Sequence, residues 1–306
     1  DDPRRPFFPR ITQMALPPGS VFKTLTAVAA IESGQIDPDA HHHCQGYLDR
    51  PDRHRCYIYR HYGVGHGDMD LSDAICRSCN VYFFQAARTI GPGKLVGWAD
   101  RFGFGRRTGV DLPHENPGQL PTPNARASSS AARWYPGDTL GLAIGQSRLT
   151  TTPLQIARMM AVVANDGYLV TPHVVRSISS NESGEFQVSP SHPRRRLTGL
   201  REGTLARIRE GLAKVVSHPK GTGYKRVRLA EVAIAGKTGT AEVGGSKPDH
   251  AWFAGYVPAD RPRIAFAVVL EHAGSGGRAA GPVARRFIES LLELGLIQPR
   301  QIAKSD

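Results

Sequence analysis

Four groups of residues in this sequence are of the types that do chemistry. Ser20 and Lys23 stand three apart behind Pro17-Pro18-Gly19. Ser78-Cys79-Asn80 and Lys237-Thr238-Gly239-Thr240 follow in that order. Cys44, Cys56, His66 and Cys79 form the fourth group. Acyl transfer by a serine needs a nucleophile, a base for its proton, a proton route to the leaving group and donors for the oxyanion. An anionic substrate end also needs a cation and hydroxyls, and the first three groups supply every part. Three thiols and an imidazole are the ligand set of a closed structural zinc site. Each short motif alone is weak, since an isolated S-x-x-K is mostly a serine near a helix start and a solvated lysine.

The elements around them decide how the motifs can meet. Pro17-Pro18-Gly19 stops the incoming chain, and Ser20 falls where a first helical turn should begin. Thr24 to Glu32 is alanine-rich and apolar, and Ser33-Gly34 ends it. Ser20 and Lys23 then share one helix face, with Ser20 at the positive end of the helix dipole. Burial of Lys23 one turn inward would leave a neutral amine able to take the serine proton. Residues 35–70 lack a period and read as a loop too long to hold itself without a staple. Asp70 caps a helix over 71–77, Ser78-Cys79-Asn80 interrupts it, and Val81 to Ile90 resumes it. Leu95 to Phe102 is a further short helix. Residues 103–150 read as irregular, with Ala127 to Ala132 nearly low-complexity. Thr152-Pro153 opens a strong helix that Asn165-Asp166-Gly167 ends. Residues 168–198 read as short strands and polar loops, and Leu205 to Val216 as an amphipathic helix. Val232 to Gly236, Ala251 to Val257 and Ile264 to Leu270 read as strands, and Val283 to Leu294 as a closing helix. The pattern is α+β.

The chain has 306 residues, 40% hydrophobic and 22% charged, with a formal net charge of +12. That suits a globular protein with ample core and anionic surroundings. Arginines cluster at Arg4-Arg5, Arg50 to Arg60, Arg106-Arg107, Arg194 to Arg196 and Arg285-Arg286. No zinc-finger, ribonucleoprotein or homeodomain pattern accompanies them, so nucleic acid is not expected as a partner. No apolar run is long enough to span a membrane, and no signal peptide is present. The first residue is Asp1, so a processed chain or a fragment is expected.

The segments PPGSVFKTLTAVAAIESG, SCNVYFFQAA, LAIGQSRLTTTPLQIARMMAVVANDG and AGKTGTAE with HAWFAGYVP together resemble the transpeptidase domain of a class B penicillin-binding protein of the elongation, or rod-shape, type. The resemblance spans nearly the whole chain, and the order of its motifs is specific. It implies the penicillin-binding/β-lactamase-like fold: an antiparallel sheet flanked by helices plus an all-helical subdomain. Residues 1–306 would be one transpeptidase domain, with a helical and loop part over about 35–170 and a sheet part over about 225–295. It implies a serine-type D,D-transpeptidase that cross-links peptidoglycan stem peptides and is acylated by β-lactams. Ser20 would be the nucleophile, Lys23 its base, and Ser78 the proton shuttle to the leaving amine. Asn80 would bond Lys23 and the substrate amide, and Lys237 would tune the field at the serine. Thr238 and Thr240 would hold the terminal carboxylate beside Gly239. Backbone N–H groups of Ser20 and Thr240 would form the oxyanion hole. The implied partner is a membrane glycosyltransferase of the elongation machinery. The implied location is the inner membrane, catalytic domain facing the periplasm, with the anchor outside this chain. Such domains carry a strand hairpin ahead of the nucleophile helix, and this chain has no room for it, so the upstream strands are expected to be missing. A serine β-lactamase, which would need a deacylating glutamate at a loop position such as Glu115 or a carboxylated lysine, and a β-lactam-sensing receptor domain are the rival readings.

For the cysteines three readings stand: zinc on Cys44, Cys56, His66 and Cys79, a Cys44–Cys56 disulfide, or buried free thiols. The resemblance favours zinc, because a Gly-His-Gly and a Cys inside the second motif recur in elongation-type enzymes. A locally extended tripeptide would face Ser78 and Asn80 to the cleft and turn Cys79 behind it. Cys76 reads as core. His41 to His43 and His54 are alternative ligands. His250 and Trp252 are candidates to line the cleft.

Overall fold

The computed structural model describes residues 2, 5–123, 133–179, 186–188 and 193–300. Arg4 and the low-complexity stretch at 127–132 lie outside them. After a single turn α1 (Arg10–Gln13), Gly19–Phe22 forms a 3-10 turn that runs into α2 (Lys23–Glu32). Every residue of α2 from Lys23 to Ile31 is buried, as expected of a helix that is apolar on all sides. It is the axis on which the other elements pack.

The segment expected to be an irregular loop is partly ordered. A ribbon pairs β1 (His42–Cys44) with β2 (Gly67–Met69), and α3 (Tyr57–Tyr62) lies between them. Cys44 and Gly67 are register partners, which brings Cys44 beside His66. Next come α4 (Leu71–Cys76), capped by Asp70 at Asp73 N–H (2.7 Å), and α5 (Asn80–Arg101). The two helices expected over 81–102 are one element broken at Gly91, whose φ of 75° precedes Pro92. The stretch read as irregular contains α6 (Pro136–Ala143), opened by proline and an Asp138 that accepts from Tyr135 N–H. Then α7 (Pro153–Ala164) begins at a full capping box between Thr152 and Gln155. The short strands β3 (Tyr168–Val170), β4 (Ser177–Ser179), β5 (Phe186–Val188) and β6 (Arg194–Arg196) pair β3 with β6 and β4 with β5.

The C-terminal part holds α8 (Thr204–Ser217), α9 (Tyr224–Val227), β7 (Ala235–Ala241), β8 (His250–Val257), β9 (Ile264–Leu270) and α10 (Ala280–Glu293). Among the described residues the main sheet is antiparallel, in the order β7-β8-β9. Its first strand starts later than Val232 and runs through the whole Lys237–Thr240 motif. β8 is buried along its full length, so both sheet faces are covered and its sequence does not alternate. Phe253, Phe266 and Phe287 stack toward α10, while Trp252 turns to the other face and donates from Nε1 to Pro17 O at 3.1 Å. Among the described residues no helix is long and apolar enough to cross a membrane.

Candidate active site

Ser20 sits in the 3-10 turn, half-buried, and the Lys23 N–H closes that turn onto Ser20 O. The turn is possible because Gly19 takes a φ of 55°. A Cβ on Gly19 would lie 2.4 Å from Thr240 O. The Ser20 turn therefore lies directly against the end of β7. Gly19 N–H donates to Gly145 O at 2.9 Å, so the loop after α6 holds the turn from its other side. Trp252 and His250 are buried supports instead of cleft-lining groups: Trp252 holds Pro17, and His250 Nδ1 accepts from His272 N–H at 3.1 Å.

Lys23 is fully buried, and its Nζ meets three oxygens: Asn80 Oδ1 at 2.6 Å, Ser78 O at 2.8 Å and Ser78 Oγ at 3.2 Å. Burial pushes its pKa down to about 8, against the upward pull of charge on Cys56, Cys79 and Cys44. A fraction of the amine is thus neutral near neutral pH and able to take a proton. Ser78 has a φ of 55°, an uncommon conformation for a side chain larger than glycine. That turn, followed by Cys79 as N-cap and Asn80 as the first helical residue, splits the tripeptide between two sides. The expected division of side chains is present, but a left-handed turn produces it, not an extended strand.

On the opposite wall Lys237 is fully buried and donates to Thr238 O at 3.2 Å. Burial, reinforced by the charge of Lys23, holds its amine well below the usual lysine range. Thr238 Oγ1 is 2.7 Å from Thr222 Oγ1, and Thr240 Oγ1 accepts from Gly276 N–H at 3.2 Å. Thr222 and Gly276 were not legible as site residues. Their only signal was a glycine-rich loop, and such loops abound. Glu115, the loop glutamate considered for a β-lactamase, is committed elsewhere: Oε1 accepts from Thr108 N–H at 2.7 Å and Oε2 from Gly109 N–H at 3.1 Å.

Behind Asn80 lies the cysteine cluster. Sγ atoms of Cys44 and Cys56 are 3.7 Å apart, as are those of Cys56 and Cys79, and Cys44 Sγ is 3.6 Å from His66 Nδ1. All four ligand atoms lie within 4.8 Å of one another, and no pair of cysteines is joined. A zinc tetrahedron with bonds of about 2.3 Å to sulfur and about 2.0 Å to nitrogen has edges of about 3.8 Å and about 3.6 Å. The donor set and spacing therefore suit a zinc ion. Cys56 Sγ also accepts from Asn80 N–H at 3.2 Å and Val81 N–H at 3.4 Å, and Cys79 Sγ from Tyr82 N–H at 3.4 Å, contacts that suit thiolate ligands. Hydrogen bonds from Cys56 and Cys79 hold the Cys44 thiol below its ordinary range, whereas burial pushes Cys79 well up. Of the alternative ligands His41 to His43 and His54, His43 pairs with Asp68, and His42 and His54 pack edge-on to Tyr82 and Phe84. Cys76 stands apart, its Sγ donating to Lys214 O at 3.4 Å. The cluster reaches the site through Asn80: its N–H donates to Cys56 Sγ, and its Nδ2 donates to Arg55 O, next to Cys56, at 2.8 Å.

The penicillin-binding protein transpeptidase domain family matches residues 2–289 of this chain. The chain belongs to that family. The peptidoglycan D,D-transpeptidase MrdA of Haemophilus influenzae is 34% identical over 97% of this chain and 48% of its own length. MrdA of Escherichia coli K12 is 30% identical over 95% of this chain and 48% of its own. The chain thus spans about half the length of the curated relatives it matches. Among solved structures, Pseudomonas aeruginosa PBP2 in complex with WCK 5153 superposes with a TM-score of 0.85 at 32% identity, covering all of this chain and 65% of that one. Helicobacter pylori PBP2 in complex with MreC gives 0.84 at 30% identity, covering 97% of this chain and 53% of that one. The penicillin-binding fold and the class B, elongation-type resemblance read from the motifs stand with these transpeptidase relatives.

Proposed function

We propose that this chain is a peptidoglycan D,D-transpeptidase domain working through a Ser20 acyl-enzyme. The observation that carries the reading is the Lys23 amine, where a helix residue meets two residues 55 and 57 positions away in the chain. Ser20 Oγ attacks the carbonyl of the scissile amide as Lys23 accepts its proton. The oxyanion forms against the N–H groups of Ser20 and Thr240, where Gly19 lets the two backbones approach. Ser78 Oγ, bonded to Lys23, passes a proton to the departing amine. Asn80 keeps Lys23 in place and bonds the substrate amide. Lys237, Thr238 and Thr240 hold the terminal carboxylate and its field. The acyl group then goes to an amine of a second stem peptide, or to water in carboxypeptidase chemistry.

Cys44, Cys56, His66 and Cys79 would hold a structural zinc, which when bound staples the β1–β2 ribbon to the start of α5. H. pylori PBP2 is described with MreC, and another neighbour belongs to a peptidoglycan synthase complex coordinating polymerization and crosslinking. By that likeness the chain works beside a membrane glycosyltransferase, on the periplasmic side of the inner membrane. A fluorescent penicillin tests the chemistry: stable label on the wild type and none on Ser20→Ala is expected. No label on the wild type, or label surviving Ser20→Ala, overturns the reading, and label lost within minutes turns it toward a β-lactamase. Metal analysis tests the staple: about one zinc per chain is expected for a closed four-ligand site. Less than about half an equivalent, with Cys44–Cys56 oxidised, overturns it.

A further inference from the structure

Arg60 and Glu242 join the two walls of the cleft: Arg60 Nη1 lies 2.5 Å from Glu242 Oε1. The two ends of this bridge are mounted differently. Arg60 stands on α3, directly after Cys56, and α3 is pinned by Tyr59. That ring packs on Tyr47 and fills the space a Cβ on Gly46 would need, 2.4 Å from Tyr59 Cδ2. Glu242 sits at the root of the loop between β7 and β8, which contains Gly244 and Gly245 at φ of 76° and 66° with open space around both. Both charged side chains are about half exposed, 42% and 56%. A bridge of that kind is weak and opens readily.

Its position just past β7 gives it a chemical meaning. Alternate residues of a strand share a face, and Glu242, directly after the last residue of β7, continues the row of Thr238 and Thr240. This inference rests on the transpeptidase reading, in which a peptide places its terminal carboxylate at Thr238 and Thr240 and its scissile carbonyl at the Thr240 N–H. Such a peptide runs antiparallel to β7 and continues past position 242. At about 3.3 Å per residue, the residue one or two before the scissile bond arrives at Glu242. We propose that Arg60 is the subsite for a second carboxylate, borne by the peptide one or two residues before its scissile bond, and that Glu242 holds that subsite while the cleft is empty. The glycine-rich loop withdraws Glu242, and the fixed guanidinium receives the substrate's carboxylate with the planar fork suited to it.

The test uses two synthetic peptides ending in D-Ala-D-Ala, identical except that the side-chain carboxylate at the position before the acyl residue is free in one and amidated in the other. In the wild type the KM of the amidated peptide exceeds that of the free acid by about tenfold, the scale of a charge-assisted pair. Arg60→Gln brings that ratio close to one, Arg60→Lys keeps most of it, and Glu242→Gln lowers the KM of the free acid by about two- to fivefold. Equal KM values for the two peptides in the wild type, or a ratio that Arg60→Gln leaves intact, overturns the subsite. Penicillin acylation of the same wild-type sample separates the two failures. Acylation at Ser20 without peptide discrimination overturns Arg60 alone, and absence of acylation overturns the transpeptidase reading and the subsite with it.

Discussion

The wall that carries Ser78 and Asn80 and the wall that carries Lys237 to Thr240 flank the same buried amine, and they are held by different means. The first is held by side chains. Ser78 is in a left-handed turn, and Asn80 is oriented by Arg55 O, whose neighbour Cys56 lies in the thiol cluster. The segment that feeds that cluster has little regular structure. The second wall is held by backbone: β7 is paired along its length with β8, and glycines let other chains lie against it. A Cβ on Gly239 would meet Pro18 O at 2.8 Å, and one on Gly276 would meet Gly239 O at 2.0 Å. A wall built around clustered thiols depends on chemistry that can be removed, by oxidation or, with the proposed zinc bound, by chelation. A wall built from ladder and close approach depends on the absence of atoms.

The largest effect should come from attacking the first wall at its thiol cluster. With the proposed zinc bound, Cys56→Ser, or a strong chelator on the wild type, is expected to remove it and destabilise the chain by several kcal/mol, given the ~10 kcal/mol a structural zinc supplies in small domains. Penicillin acylation should fall at least about 100-fold, because Asn80 loses both its thiol acceptor and its fixed Arg55 carbonyl. Calorimetry and labelling rates check this. An unchanged melting temperature after chelation would show that packing alone holds this wall, and the contrast between the walls would fail.

A smaller effect tests the second wall. Gly276→Ala adds one methyl group facing two backbone oxygens, Gly239 O at 2.0 Å and Trp252 O at 2.4 Å, neither of which can swing aside. The expected cost is about 1–3 kcal/mol, with slower acylation as Thr240 shifts away from the Gly276 N–H. Zinc content should stay at the wild-type value. Gly137→Ala in α6 is the matched control: apart from its chain neighbours and its own helix backbone, no atom lies within 4 Å of the added carbon, so stability should hold or rise by about 0.4–1 kcal/mol.

The two walls also differ in how far they could be read from the sequence. Local signals carried α2, α7, α8 and α10, because caps and periodic apolar residues act within a few positions. Thr152 with Gln155 and Asp70 with Asp73 are such signals. The three motifs were legible because reactive residue types are rare in that order. The conformation of Ser78 was not, since nothing in Ser-Cys-Asn announces a left-handed turn. It is set by α4 ending against α5. Thr222, Gly145 and Gly276 were invisible for the same reason: each acts through a partner far along the chain. α6 was hidden by Gly137 and Gly141, which lower helix propensity although Pro136 and Asp138 open it well. β1 and β2 are too short for any alternation to show.

The smallest expected effect probes the amine between the walls. With its pKa near 8, Lys23 is mostly protonated at pH 7 and mostly neutral at pH 9. If the neutral amine is the base, the second-order rate of penicillin acylation should rise about tenfold between those values and level off above, with a midpoint near 8. Stability should move in the same direction for a separate reason. The unfolded chain binds the Lys23 proton up to the ordinary lysine range, the folded chain only to about 8, so the unfolded state holds more protons in that interval and folding gains as pH rises through it. Buried Lys237, also shifted down, adds to the same slope. The two readouts divide the walls. Asn80→Ala removes the acceptor at 2.6 Å and should move the acylation midpoint down, because a protonated Lys23 loses its best partner. Thr238→Val takes from the other wall the hydroxyl that bonds Thr222 and, in the proposed reading, the substrate carboxylate, and should weaken acylation while leaving the midpoint near 8. A midpoint that follows Thr238 and ignores Asn80 would assign control of the base to the β7 wall, and the side-chain wall would then be a support for substrate alone.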